Sequence, residues 1–191
     1  MKYFASISLF FAIIIAISGC SSLKDGVWLH STQYAMGGIP LVYNHLEELS
    51  MFDFILTRKG NSIEGTVIIK SEGESTKRIV MTSFFGMTFL DFELNGSNIK
   101  INYCIEQLNR EKVILLLKKD FEILFKPDHS KITKYTFNPS SKITALQQGN
   151  GITRTLMYFN NYIDGYPNEI LINHPLLGIE LKMIKSILNE D

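Results

Sequence analysis

Between Met51 and Ile105 the chain repeats one unit: a short run of apolar and β-branched residues, then a turn. The runs are Met51–Thr57, Ser62–Lys70, Lys77–Phe84, Met87–Leu94 and Ile99–Ile105. Arg58-Lys59-Gly60-Asn61, Ser71–Ser75, Gly86 and Asn95-Gly96 separate them. Asn-Gly is the strongest hairpin signal among these, because both residues tolerate the positive φ that a tight type I′ turn needs. In Ser62–Lys70, Ile63, Val67 and Ile69 alternate with Glu64, Thr66 and Lys70, which is the period of a strand with two unlike faces. Neighbouring strands joined by short turns pair antiparallel, so this half predicts a five-strand meander. Met51–Leu56 and Lys77–Phe85 are apolar on both faces. A sheet with one wet face would alternate cleanly, so something must cover the second face.

The period then changes. From Asn109 to Phe125 the apolar positions are Val113, Ile114, Leu117, Phe121, Leu124 and Phe125, with Lys118, Lys119 and Glu122 largely elsewhere. That spacing predicts a helix packed on the sheet. Asn109 can cap its start and Pro127 blocks its continuation. Strands resume at Lys131–Phe137, with Ile152–Ile163, Glu169–Ile172 and Ile179–Ile187 to follow. Asn138–Ser141 and Gln147–Gly151 read as loops. Leu41–Leu49 fits a short helix with Glu47 and Glu48 outward, without the pattern deciding it.

The N-terminal stretch sets the compartment. Lys2 precedes an apolar run, Ala5–Ile17, which ends in Ser18-Gly19-Cys20. A charged start, a short apolar core and small residues at the cut describe a secretory signal. The end resembles the lipobox of bacterial lipoproteins, which implies cleavage before Cys20 and acylation of that cysteine. Each buried methylene of such chains adds about 0.8 kcal/mol to anchoring. The division expected is a signal peptide over 1–19, a lipid-anchored tether over 20–38 and a single domain over 39–191. Ser21 follows the cysteine, where inner-membrane retention in enterobacteria commonly has Asp, and by resemblance this favours the outer membrane, facing the periplasm.

Composition closes off other classes. Nineteen basic residues balance nineteen acidic ones with no basic stripe, which argues against a nucleic-acid partner. With Cys20 acylated, Cys104 stands alone, so no disulfide framework is available. His30, His45, His129 and His174 are scattered, with no metal-ligand spacing and no cofactor motif. Asp91 and Glu93 share a strand face, where a solvated exterior outweighs acid–base work. Tyr158, Phe159, Tyr162 and Tyr166 read as packing rather than carbohydrate stacking. No nucleophile elbow or phosphate loop is present, and no enzymatic activity is expected.

Three stretches carry a wider resemblance. Ile79–Leu94 holds two apolar strands around a small-residue turn with Gly86; Pro167–Ile172 is a Pro-led strand; Ile179–Met183 is an alternating closing strand. With the lipobox and the helix between two strand groups, the chain resembles the LolA/LolB-like bacterial outer-membrane lipoproteins. The resemblance implies a mainly β fold in which a curved antiparallel sheet forms an incomplete β-barrel with a covering helix. It further implies an apolar cavity that takes a lipid or the acyl chains of lipoproteins, in traffic to the outer membrane. The residues expected to line such a cavity are Phe52, Phe54, Val80, Met81, Phe84, Phe89, Phe92, Leu117, Phe121 and Leu124. The membrane, through the N-terminal lipid, and lipid or lipoprotein acyl chains are the expected partners. The alternative is a structural or accessory lipoprotein that binds another envelope protein. The transport receptor of the family uses an exposed apolar residue on a loop between early strands, whereas Ser71–Thr76 here offers none. Cys20→Ser should leave an uncleaved or unanchored precursor; normal processing and membrane fractionation of that variant would refute the lipobox.

Overall fold

Alternation sorts most side chains before any long-range contact is considered. The computed structural model describes residues 29–30, 49–73, 75–125 and 128–186. The stretch read as a signal peptide, Cys20, residues 41–48 and most of the stretch read as a tether over 20–38 lie outside them. The first half holds β1 (Leu29–His30), β2 (Leu49–Arg58), β3 (Asn61–Glu72), β4 (Thr76–Thr82), β5 (Thr88–Asn95) and β6 (Asn98–Cys104). A helix, α1 (Glu111–Phe125), follows. The second half holds β7 (Ile132–Phe137), β8 (Ile143–Gln148), β9 (Thr155–Ile163), β10 (Tyr166–His174) and β11 (Ile179–Lys185).

The eleven described strands make one antiparallel sheet, ordered β1-β7-β8-β9-β10-β11-β2-β3-β4-β5-β6. Its two meanders meet where β11 pairs with β2, setting Leu181 opposite Leu56 and Met183 opposite Phe54. Neither β1 nor β6 closes on the other, so the sheet is an incomplete barrel. Within the stretch read as tether, Leu29 and His30 pair with Tyr135 and Lys134.

One face of the curved sheet supplies the core. Phe52, Phe54, Val67, Ile79, Met81, Phe92, Met157, Ile172 and Met183 are buried there beneath Leu117, Phe121 and Leu124 of α1. Phe92 meets Phe121 edge to face at 5.7 Å, and Phe54 meets Phe89 at 6.3 Å. Such aromatic pairs stabilise by about 0.5–1.5 kcal/mol beyond their area. The opposite face explains the doubly apolar strands only in part. Met51, Ile68 and Val80 form a half-buried row across β2, β3 and β4. Beside it, Arg78 makes a two-pronged ion pair with Asp91, at 3.1 and 2.7 Å. Asn102 bridges Asp91 and Glu93, and Lys100 reaches Glu93, so these carboxylates belong to an outer polar ladder.

Four local readings change. The helix begins at Glu111 rather than Asn109, with the Arg110 carbonyl accepting from the Val113 and Ile114 amides. Ile143–Gln148 is a strand, although Thr144, Gln147 and Gln148 give it a weak apolar period. The strand expected from Ile152 starts at Thr155, because Gly151–Thr153 forms a 3-10 turn. β4 stops at Thr82, where its register with β5 shifts, and Phe84 and Phe85 leave the sheet.

Gly65 is required by that departure. A Cβ there would land on the carbonyl oxygen of Thr82 and lie 2.9 Å from Ser83 Cα. Backbone, not a flexible side chain, stands in the way, so the strand itself must shift. Gly65→Ala should therefore destabilise the fold by about 1–3 kcal/mol, read as a lower urea midpoint. Gly73→Ala, with nothing within 4 Å of its Cβ but a φ of +79°, should cost less. An equal effect at both positions would refute the close approach as the cause.

Candidate functional site

Burial divides the expected cavity-lining residues. Phe52, Phe54, Met81, Phe89, Phe92, Leu117, Phe121 and Leu124 are all brought together, and all are buried in the core. They pack against one another in the core, and of the eight Leu117 also borders the open space described next. Val80 does not join them: it lies on the other face, between Ile68 and Asp91 in register. Phe84 does not join them either, being 62% exposed. Strand parity is the reason for the first, since Met81 and Val80 must point to opposite faces. The bend after Thr82 is the reason for the second.

Open space lies at one end of this core. A cavity of about 220 Å³ is lined by Leu56, Ile63, Leu108, Val113, Leu116, Leu117 and Ile179, with Arg58, Asn61, Ser62 and Gln107 supplying polar atoms. The end of β2, the start of β3, the loop after β6, the first half of α1 and the start of β11 build it. Mostly apolar walls with a few polar groups suit the end of an aliphatic chain carrying a polar head. Its volume is below the roughly 300–1,000 Å³ of pockets that enclose whole drug-sized ligands, so it has room for only part of a long chain.

The β4–β5 hairpin tip points to this same end, because Thr82 pairs with Thr66 in the middle of β3 and the chain beyond it heads toward the start of β3, and the Ile105 amide, in the loop after β6, donates to the Phe89 carbonyl at 3.0 Å. Phe85 is 99% exposed there, between exposed Phe84 and Met87. The tip is a built turn. Ser83 N–H donates to the Met87 carbonyl at 2.8 Å, Gly86 N–H to the Ser83 carbonyl at 2.9 Å, and Met87 N–H to Ser83 Oγ at 3.0 Å. Gly86 has a φ of +81°, a conformation that glycine adopts without strain. The two Phe rings are thus held outward by backbone bonds. Ile152 and Leu176, in the turns before β9 and β11, add exposed apolar side chains at the same end of the sheet, where the Lys59 amide donates to the Gly178 carbonyl at 3.2 Å.

A second polar feature lies under the far half of α1. Asp120 Oδ2 meets His174 Nε2 at 2.9 Å, with both side chains 2% exposed. Thr155 Oγ1 lies 3.5 Å from His174 Nδ1. Burial pushes the Asp120 carboxyl above the usual range, and the bond from His174 opposes that shift. Among the described residues, Asp120 Oδ1 has no hydrogen-bond partner. Elsewhere, Cys104 is half-buried, its thiol raised by burial and donating to the Ile105 carbonyl. Phe159 is core, and Tyr162 donates to the Ile143 carbonyl at 2.6 Å.

The sequence carried signals for two of the features it did not deliver. Phe84-Phe85-Gly86 is an apolar pair against a turn glycine, legible as an exposed tip once β4 is ended earlier. Asp120 interrupts the apolar side of the helix, between Leu117 and Phe121. Its partner is 54 residues away, and no local pattern links the two.

No family profile and no curated protein matches the sequence. Among solved structures, the chain is similar to a LolA superfamily protein from Nitrosomonas europaea, at 7% identity and a TM-score of 0.49, over 77% of this chain and 88% of that one. A lipoprotein-sorting domain described as putative and outer-membrane, from Vibrio parahaemolyticus, is similar at 9% identity and a TM-score of 0.36, over 73% and 83%. A DUF1329 family protein from Desulfovibrio piger is similar at 11% identity and a TM-score of 0.32, over 73% and 84%.

Proposed function

We propose that this is a lipid-anchored, non-enzymatic envelope protein that binds the acyl chain of a lipid or lipoprotein in traffic to the outer membrane. The observation that carries the reading is the apolar cavity beneath the first half of α1. Leu56, Ile63, Val113, Leu116 and Leu117 would take the end of the chain, and Arg58, Asn61 and Gln107 the polar group that follows it. The projecting Phe84, Phe85 and Met87 supply the route. A Phe moved from water into an acyl layer contributes about 1.5–3 kcal/mol, so this tip gives the open end of the sheet reason to face a bilayer. It also takes the part that the polar Ser71–Thr76 loop cannot.

A second reading is an accessory lipoprotein with a protein partner. The edge at β6 favours it, since Ile101 and Tyr103 are exposed on a strand that, among the described residues, is paired on one side.

Val113→Trp would fill the cavity from a half-buried position. Displacement of a fluorescent fatty acid should show saturable binding by the parent and at least tenfold weaker binding by the variant, with the thermal midpoint little changed. Absence of saturable binding by the folded parent would overturn the acyl reading and leave the protein-partner alternative. Phe85→Asp, which touches no cavity residue, should keep fatty-acid binding in solution and lose transfer to vesicles. Equal transfer by both proteins would remove the tip from the mechanism.

A further inference from the structure

The helix covers the core with a buried face that contains one charged residue. Its buried positions are Leu117, Asp120, Phe121, Ile123 and Leu124. The first half of α1, through Val113, Leu116 and Leu117, roofs the cavity. The second half is tied down by polar contacts. Lys119 Nζ donates to the Thr153 carbonyl at 2.8 Å, and Asp120 seats on His174. A whole acyl chain does not fit the present cavity, so this proposal rests on the acyl-binding reading: a longer chain needs α1 to lift.

We propose that the Asp120–His174 contact makes α1 a proton-controlled lid, held down while the buried pair keeps its shared proton and released when that proton is lost. The groups that face the pair are few. Thr155 of β9 abuts the far nitrogen of His174, and Gln148 of β8 stands opposite Thr155 in register. Gln148 is buried, with its Oε1 unpartnered, and offers no positive charge. Lys119, next to Asp120 on the helix, is the other cation that acts on the carboxylate, and Lys131 acts in turn on Lys119.

One proton shared across 2.9 Å leaves the pair neutral as a unit. Removing it leaves a carboxylate in a fully buried site, with His174 as donor to Oδ2 and nothing on Oδ1. An ion with an unmet acceptor is expensive to bury, and lifting the helix returns it to water. The direction follows from linkage. Asp120 binds its proton more tightly in the seated helix than in water, burial being the first cause. The seated form is therefore favoured while the pair holds its one proton, and that preference is lost as pH rises and the proton leaves. Leu117, Phe121 and Leu124 lie on the same helical side as Asp120. Release exposes them together and extends the mouth cavity into the core.

Hydrogen exchange of α1 amides, corrected for intrinsic rates, tests this in the lipid-anchored protein held in phosphatidylcholine vesicles. The opening constant should rise with pH, by at most about tenfold per unit for one proton. Asp120→Asn keeps the shape without the ionisation, so its profile should be flat and its protection retained at high pH. His174→Gln should raise opening wherever Asp120 is ionised. A flat profile in the parent overturns the proposal, as does an Asp120→Asn profile that matches the parent. If Asp120→Asn does not fold, the parent profile and His174→Gln still decide. Fluorescent fatty-acid binding, measured in parallel, separates the two readings. Opening with pH but no binding removes the acyl function and keeps the lid. Binding with no pH-dependent opening does the reverse.

Discussion

Everything in this fold hangs on the pairing of β11 with β2. Each meander alone would present one apolar face and two bare edges. Joined through Leu181–Leu56 and Met183–Phe54, they become one sheet wide enough to curl around a helix. The inward side chains of both halves then meet in a single core. The helix completes it, since the connection from β6 at one edge to β7 near the other must cross the concave side. Coverage by α1 is thus a result of topology, and the apolar stripe on the helix is the sequence's answer to it.

That closeness has a price in room. The aromatic contacts that join β5 to α1, and β2 to β5, occupy the middle of the concavity. Among the described residues, space survives where the helix begins and β2 ends. The molecule therefore separates two tasks by position. The open end offers a small apolar slot, a rigid projecting tip and basic groups, while the interior holds a packed aromatic block with one ionisable contact under the lid. A ligand larger than the slot has to compete with the protein's own Phe and Leu side chains for the interior.

Local pattern made much of this legible. The five-strand meander, the helix after β6 and the inward sides of β2 and β3 follow from periods of 2 and 3.6 in the chain. What escaped was whatever depends on contacts distant in sequence, or on a departure from regular geometry. Val80 and Phe84 were grouped with Met81 because an apolar run does not reveal which side each residue takes when both sides are apolar. β8 was missed because Gln147 and Gln148 dilute its pattern, and pairing with β7 and β9 decides the matter. The partner of Asp120 depends on β10 passing beneath the helix, which no window of residues contains.

The central place of β11 also bears on how the chain acquires its structure. A sheet whose middle seam is formed by the strand made late cannot be assembled progressively from its first residues. β2 to β6 emerge earlier, yet the long edge of β2 waits for Ile179–Lys185 to arrive. Contacts between residues so far apart in sequence slow folding, because the loop must be closed before any of them is gained. This delay leaves one long edge of β2 bare in the meantime, a row of unmet backbone groups on an apolar strand and so a template for wrong pairing.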